Sequence, residues 1–168
     1  MDIHVRKAMV NDLTAMTAIY NSVIEEGGFT ADLDIYTHDE RHKWFNDHNN
    51  ESHGIYVLES QKEVVGYFYF SPWRSGRSAL AGVREISFYI HKHVRGRGLG
   101  DLILEQAIDI AVNRGFTHLI AILLDINEPS RKLLKKWEFE PAGKLVDIAK
   151  LKNETCGQLI MLRTLKYK

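Results

Sequence analysis

A single cysteine, Cys156, stands among the 168 residues, so no internal disulfide can brace the chain. Neither charge is in excess, since 22 lysines and arginines balance 22 aspartates and glutamates. No global field therefore draws in nucleic acid or an anionic membrane, and any anion site has to be local. No apolar run is long enough to span a bilayer and no secretory h-region opens the sequence, which sets the expectation of a cytoplasmic protein without a membrane or nucleic-acid partner. Internal repeats, low-complexity stretches and linkers are also missing. What remains is enough length for one domain, residues 1–168, with a core that needs neither disulfide nor metal. Cys156 falls in an alternating run from Thr155 to Leu165, where a thiol reads as a small packing group rather than a nucleophile.

Periodicity supplies the elements. Ile3 to Lys7 alternates as a strand; Asn11 and Asp12 then cap a helix carrying Leu13, Met16, Ile19, Tyr20, Val23 and Ile24 at helical spacing, with a stop at Gly27-Gly28. Thr37-His38-Asp39-Glu40 has the form of a capping box ahead of Trp44 and Phe45. Strands are expected over Gly54–Ser60 and Glu63–Trp73, joined by a Gln61-Lys62 turn and followed by a polar loop through Gly82. A further strand from Arg84 to His91, a glycine loop, a helix to Arg114, a Gly115 stop and a strand from Thr117 to Asp125 make one βαβ unit. Pro129 opens a last helix through Trp137, and strands Lys144–Leu151 and Thr155–Leu165 close the chain. This order predicts an α+β fold: a mixed, mostly antiparallel sheet with one parallel crossover and helices covering it.

Arg95-Gly96-Arg97-Gly98-Leu99-Gly100 lies between that strand and that helix. Glycines allow the backbone to turn tightly with several N–H groups facing one point, and a helix start adds unpaired donors and the positive end of its dipole. Two arginines add charge suited to a phosphate. A dinucleotide site of the Rossmann kind, with Asp125 as the ribose acid, fits poorly, because the third glycine is missing and the strand carries Glu85 and Ser87. A Walker A loop is excluded, since no Gly-Lys-Ser/Thr follows. His91 and His93 share a strand face, but no third ligand is indicated, so no metal is expected.

These residues resemble the GNAT acyl-CoA-dependent N-acetyltransferases, and among them the phosphinothricin/methionine sulfoximine acetyltransferase group. Arg95-x-x-Gly98-x-Gly100 is similar to the family's pyrophosphate loop, and Asn127-x-x-Ser130 with Phe139 to its second coenzyme A motif. The likeness extends through Tyr20-Asn21-x-x-Ile24-Glu25, Ser71-Pro72-Trp73-Arg74 and the Glu85 strand. It implies splayed central strands in a sheet with helices on both faces, with acetyl-CoA in the slot as cosubstrate. By that resemblance pantetheine pairs with the backbone at Phe88, Tyr89 and Ile90, the phosphates sit over Arg95, Gly96, Arg97, Gly98, Leu99 and Gly100, and Asn127 contacts the pantetheine arm. The helix from Ser130 to Lys136 flanks it. For Asn127 and Ser130 the bland alternatives are an Asx cap and a helix-terminus hydroxyl. The resemblance also implies a homodimer acting on a small-molecule amine.

An ammonium has no lone pair to attack a thioester, so acetyl transfer needs a proton acceptor. Glu85 is the candidate, in an otherwise apolar strand where partial burial would raise its pKa, and it matches the subgroup's catalytic glutamate; the alternative is an ion pair with Arg84 or Arg114. Where the family carries a tyrosine or histidine as general acid, this chain has Leu134, and Glu138 replaces the glycine of the following turn. Phe29, between the first two helices, is expected to face the acceptor, whereas Trp44 and Tyr36 are assigned to packing. Arg74 matches a basic residue near the substrate's anionic groups; Arg77 matches a second only if one residue is inserted. The sequence thus points to acetylation of the α-amino group of a small amino-acid-like acceptor. A protein N-terminal or lysine acetyltransferase and a non-catalytic acyl-CoA-binding module are the alternatives.

Overall fold

The computed structural model, which describes residues 2–50 and 53–166, contains strands β1 (His4–Lys7), β2 (Ile55–Ser60), β3 (Glu63–Pro72), β4 (Val83–Ile90), β5 (His118–Leu124), β6 (Glu140–Lys150) and β7 (Thr155–Thr164). Helices α1 (Leu13–Glu26), α2 (His38–His48), α3 (Leu99–Asn113) and α4 (Glu128–Lys136) connect them. The strands form one sheet in the order β1-β2-β3-β4-β5-β7-β6. Every neighbouring pair is antiparallel except β4 and β5, which α3 joins as the single crossover. That arrangement leaves no room for the repeated βα units of a dinucleotide fold, and Asp125 is instead held by Lys144 at 2.8 Å and by the Gly157 N–H at 2.9 Å.

Strand alternation sorts the side chains between two cores. Phe68 and Phe70 of β3 and Ile86 of β4 pack with Ile103, Leu104 and Ala107 of α3. The intervening Tyr67, Tyr69 and Tyr89 face the other way, onto Met16, Ile19 and Tyr20 of α1 and Phe45 of α2. Helices thus cover both faces.

The capping box at Thr37 forms as its residues predict: Thr37 Oγ1 accepts from the Glu40 N–H, and Glu40 accepts from the Thr37 N–H at 2.8 Å. Asp12 does not cap α1 in that way. Its carboxylate accepts from the Met9 N–H at 2.7 Å and pairs with Arg6, which locks the chain between β1 and α1 in a short 3₁₀ turn. Strand β6 begins at Glu140 rather than at Lys144, because Pro141 and Gly143 disguise it. Pairing with β7 is irregular between Pro141 and Gly143 and again between Leu145 and Ala149. A proline is tolerated there because β6 lies at the edge of the sheet.

The turn after α4 keeps its shape despite losing glycine. Glu138 adopts φ 59°, the left-handed conformation that glycine adopts freely and L-residues adopt at a cost of roughly 1–2 kcal/mol. Its carboxylate, 3.2 Å from Arg163 and largely exposed, returns little of that cost. Phe139 follows fully buried, with its N–H donating to the Leu134 carbonyl. Replacing Glu138 with glycine should therefore stabilise the fold by roughly 1 kcal/mol, measured by urea denaturation; an unchanged or lower midpoint would show that the turn carries no strain.

Candidate active site

Strands β4 and β5 pair only as far as Val83↔His118, Arg84↔Leu119 and Glu85↔Ile120. Beyond Glu85, β4 stays with β3 up to Gly66↔Ile90, while β5 continues along β7 up to Leu124↔Gln158. The two strands part, and Glu85 stands at the vertex. A cavity of about 390 Å³ fills the wedge, lined on one side by Ile86–Ile90 and on the other by Ala121–Leu123. On its β5 side, β4 therefore presents backbone groups that no strand satisfies, and such groups call for a partner with an extended, hydrogen-bonding chain.

The glycine loop closes one end of the wedge. Arg95, Gly96, Gly98, Leu99 and Gly100 all line the cavity, and α3 starts there, with Gly98 at its N-cap in the left-handed conformation at φ 80°. A Cβ on Gly98 would meet no atom within 4 Å, whereas one on Gly100 would come within 2.6 Å of Leu133. The first glycine keeps a space open, and the second lets α4 approach. Arg95 is held from three directions: its Nε donates to the Ile90 carbonyl at 3.0 Å, its Nη1 to Glu26 at 2.8 Å, and its guanidinium lies 4.9 Å from the Phe29 ring centroid. Phe29 thus lines the same cavity beside the glycine loop. Arg97 is exposed and lies outside the cavity lining.

The far wall comes from α4. Asn127 is both a cap and a cavity residue: its side-chain oxygen accepts from the Ser130 N–H at 3.2 Å, and both residues line the wedge. Leu134, almost wholly buried, lines it one turn further on, so an apolar side chain occupies the place of a proton donor. Lys136 lies outside the lining. Its ammonium is 2.6 Å from Asp101, which also accepts from Trp137 Nε1 at 2.9 Å. These contacts tie the end of α4 to the start of α3 and hold the Asp101 carboxyl below the usual carboxylate range, a clamp that the sequence alone did not disclose.

Glu85 is half-buried and makes no ion pair among the described residues. Arg84 lies over the Phe116 ring at 4.4 Å, and Arg114 donates to the His53 carbonyl. Burial alone pushes the Glu85 carboxyl above its ordinary value, as a general base working near neutrality requires. Cys156 is buried in β7, where burial pushes its thiol up, the opposite of what thiolate chemistry needs. Arg74 and Arg77 sit exposed in the β3–β4 loop, in a shallow surface pocket with Trp73 and Arg84 rather than in the wedge. Among the described residues no group of three or more His, Cys, Asp or Glu could hold a metal ion, and no helix is long and apolar enough to cross a membrane.

A mixed sheet whose one parallel pair splays beside a glycine loop and a helix start defines an acyl-CoA-dependent transferase. Residues 16–139 match the Acetyltransferase (GNAT) family, and the chain belongs to it: the protein is an N-acetyltransferase that uses acetyl-CoA. It is 36% identical over 160 residues to YwnH of Bacillus subtilis (strain 168), which carries a provisional phosphinothricin acetyltransferase name; the match covers 95% of this chain and 98% of that protein. It is 30% identical over 151 residues to the L-methionine sulfoximine/L-methionine sulfone acetyltransferase of Pseudomonas aeruginosa, covering 88% and 86% of the two chains. Its fold superimposes with a TM-score of 0.92 on a GNAT superfamily phosphinothricin acetyltransferase of Sinorhizobium meliloti, solved in complex with AcCoA, at 25% identity over 98% of this chain and 89% of that one.

Two outcomes follow from this geometry. Gly98→Ala, which places a methyl group in the open space at the α3 start, should weaken coenzyme A binding by roughly 10-fold, measured by calorimetry. Undiminished affinity in a folded variant would remove the loop from the phosphate site. Glu85→Gln should lower turnover by about 10²-fold or more and abolish the acidic limb of the pH–rate profile. The same raised pKa has a stability signature. Ionising Glu85 is harder in the folded than in the unfolded state, so its contribution to stability is full below the unfolded pKa and is lost as pH rises through the folded one. The Glu85→Gln variant should accordingly melt higher than the parent at neutral pH, with the difference vanishing in acid.

Proposed function

We propose that this enzyme acetylates the α-amino group of a small amino-acid-like acceptor, of phosphinothricin or methionine sulfoximine/sulfone type, by direct transfer in a ternary complex. The observation that carries the reading is Glu85, a half-buried carboxylate with no ion-pair partner among the described residues, at the point where β4 and β5 separate. There it takes a proton from the acceptor ammonium, directly or through water. The freed nitrogen attacks the thioester carbonyl, a C–N bond forms, the C–S bond breaks, coenzyme A leaves as a thiolate, and the second proton that the nitrogen must shed to become an amide passes to solvent. A coenzyme A thiol is acidic enough for its thiolate to leave unprotonated and to take a proton from water afterwards, so Leu134 in the acid's place does not block turnover. Backbone N–H groups on the open side of β4 are suited to stabilise the carbonyl oxygen as charge develops. The names of the relatives support the acceptor class.

In this reading Phe88, Tyr89 and Ile90 offer their backbone to pantetheine, and Asn127 and Ser130 flank it. The acceptor's carboxylate is read by Arg74, with Arg77 beside it, because a guanidinium can hold a carboxylate through two parallel N–H bonds and so orient the neighbouring amine towards Glu85. The enzyme acts in the cytoplasm as a homodimer. Exposed Val146 and Ile148 on the edge strand β6 are apolar surface that a second copy would cover.

An acetyl-CoA turnover assay over a panel of amino acids, sulfoximines and peptides decides the acceptor class; turnover confined to peptides would overturn it. Arg74→Ala should raise the acceptor KM by roughly 10-fold or more while leaving the acetyl-CoA KM nearly unchanged. If esterifying the acceptor's carboxylate weakens the parent and Arg74→Ala enzymes equally, Arg74 does not read that group.

A further inference from the structure

A second, smaller cavity of about 170 Å³ lies on the α1/α2 face of the sheet, and Arg41 is its most unusual lining residue. Arg41 comes from the inward face of α2, which presents positions 41, 44, 45 and 48 at helical spacing. Its side chain is 95% buried, with a relative exposure of 5%. Trp44 lies 3.8 Å and Tyr20 4.9 Å from its guanidinium carbon. Rings attract a cation, but they accept none of its N–H bonds. Of the guanidinium nitrogens, Nη2 donates to the Tyr67 hydroxyl at 3.2 Å and Nε is buried with no hydrogen-bond partner among the described residues.

A buried cation ordinarily pairs with a carboxylate. The two carboxylates on this cavity are engaged elsewhere: Asp32 accepts from the Tyr20 hydroxyl at 2.6 Å and the Tyr36 hydroxyl at 3.1 Å, and Glu40 is held in the Thr37 capping box. Arg41 forms no ion pair among the described residues. Arg41 therefore brings to the cavity a cation that no carboxylate of the described residues binds, with donors to spare, which is the chemistry of a site for accepting oxygens.

Its position says which oxygens. Cross-strand register puts Ser71 beside Glu85, Tyr69 beside Ser87 and Tyr67 beside Tyr89, one polar row after another on a single face. Tyr69 lies in the middle row, and its hydroxyl, pushed up by burial, also feels the charges of Glu85 and Arg41. With a rise of about 3.3 Å per residue, the distance from Glu85 to the Arg41 cavity is on the order of 10 Å. An α-amino acid with a three- or four-bond side chain spans about 5 Å between its nitrogen and its terminal group, and a hydrogen bond of about 3 Å at each end completes that distance. Arg74 lies beyond Ser71, on the opposite side of Glu85 from Arg41.

We propose that Arg41 is a specificity-determining residue of the acceptor site, holding the oxygen-bearing end of the acceptor's side chain while the α-amine sits at Glu85. The proposal rests on the amino-acid acceptor reading above and adds to it the group that separates good acceptors from plain aliphatic amino acids. A phosphinate, carboxylate or sulfone end supplies the oxygens; an alkyl end supplies none.

Calorimetry with L-phosphinothricin and L-norvaline, on the coenzyme A-loaded enzyme, tests it. The parent enzyme should bind phosphinothricin at least about 10-fold more tightly, and Arg41→Gln should bring the two affinities within about 2-fold of each other. A folded Arg41→Gln enzyme that keeps the preference, or a parent enzyme that has none, would overturn the proposal. Should Arg41→Gln fail to fold, the parent enzyme answers alone. The guanidinium signal of Arg41 in ¹⁵N-labelled protein, assigned through Arg41→Lys, should shift with phosphinothricin and not with norvaline; equal responses overturn the proposal as well. Turnover of amino acids without this preference would leave the acceptor class intact and remove only the role of Arg41. Arg41-dependent binding without turnover of any amino acid would do the reverse.

Discussion

The parting of β4 from β5 after the Glu85↔Ile120 pair is the constraint on which the rest of the molecule depends. Each strand is committed on its other side, β4 to β3 and β5 to β7, so neither can follow the other without breaking an established ladder. The edge left open on β4 carries unsatisfied backbone donors and acceptors in a sheet that otherwise pairs them. An extended substrate chain repairs this edge in the way a strand would. Because the separation begins at one residue, the carboxylate at that residue is fixed relative to the end of the slot.

Charge distribution follows from the same geometry. Arg95 is tied to Glu26 and Lys136 to Asp101, with Arg95 and Asp101 in the lining of the wedge, and Lys144 is tied to Asp125 just past the end of β5. Exposed pairs of this kind add little to stability; here they join elements distant in sequence, the glycine loop to α1 and the end of α4 to the start of α3. Glu85, half-buried, and Arg41, buried, are the exceptions, since neither forms an ion pair among the described residues. A fold that leaves such groups unpaired pays in stability, and that cost is what would make their charges available to an acceptor.

Much of this architecture is legible along the chain. Thr37 with Glu40, the glycine loop ahead of α3 and the strand run that opens at Glu63 are signals that span a few residues, and the structure reproduces them. Failures occurred where a local signal met a stronger distant partner. Asp12 reads as a cap but is captured by Arg6, and β6 reads as a short strand because its first residues include a proline that only an edge position tolerates. Trp44 and Tyr36 pack against the α1/α2 core as their reading as packing aromatics expects, and they also wall the cavity around Arg41.

The sequence by itself determined the elements, their order, the phosphate-type loop and Glu85 as the candidate base, because period, capping and turn chemistry are set by neighbours within one or two turns. Only the tertiary structure decided that, among the described residues, Glu85 and Arg41 have no ion-pair partner, that Lys136 and Arg97 lie outside the cavity, and that Arg41 is buried beside the tyrosines of β3 and β4. Those outcomes depend on which faces of α1, α2 and α4 meet the sheet. Burial and electrostatic pairing are properties of residues brought together from distant parts of the chain, and no local pattern encodes them.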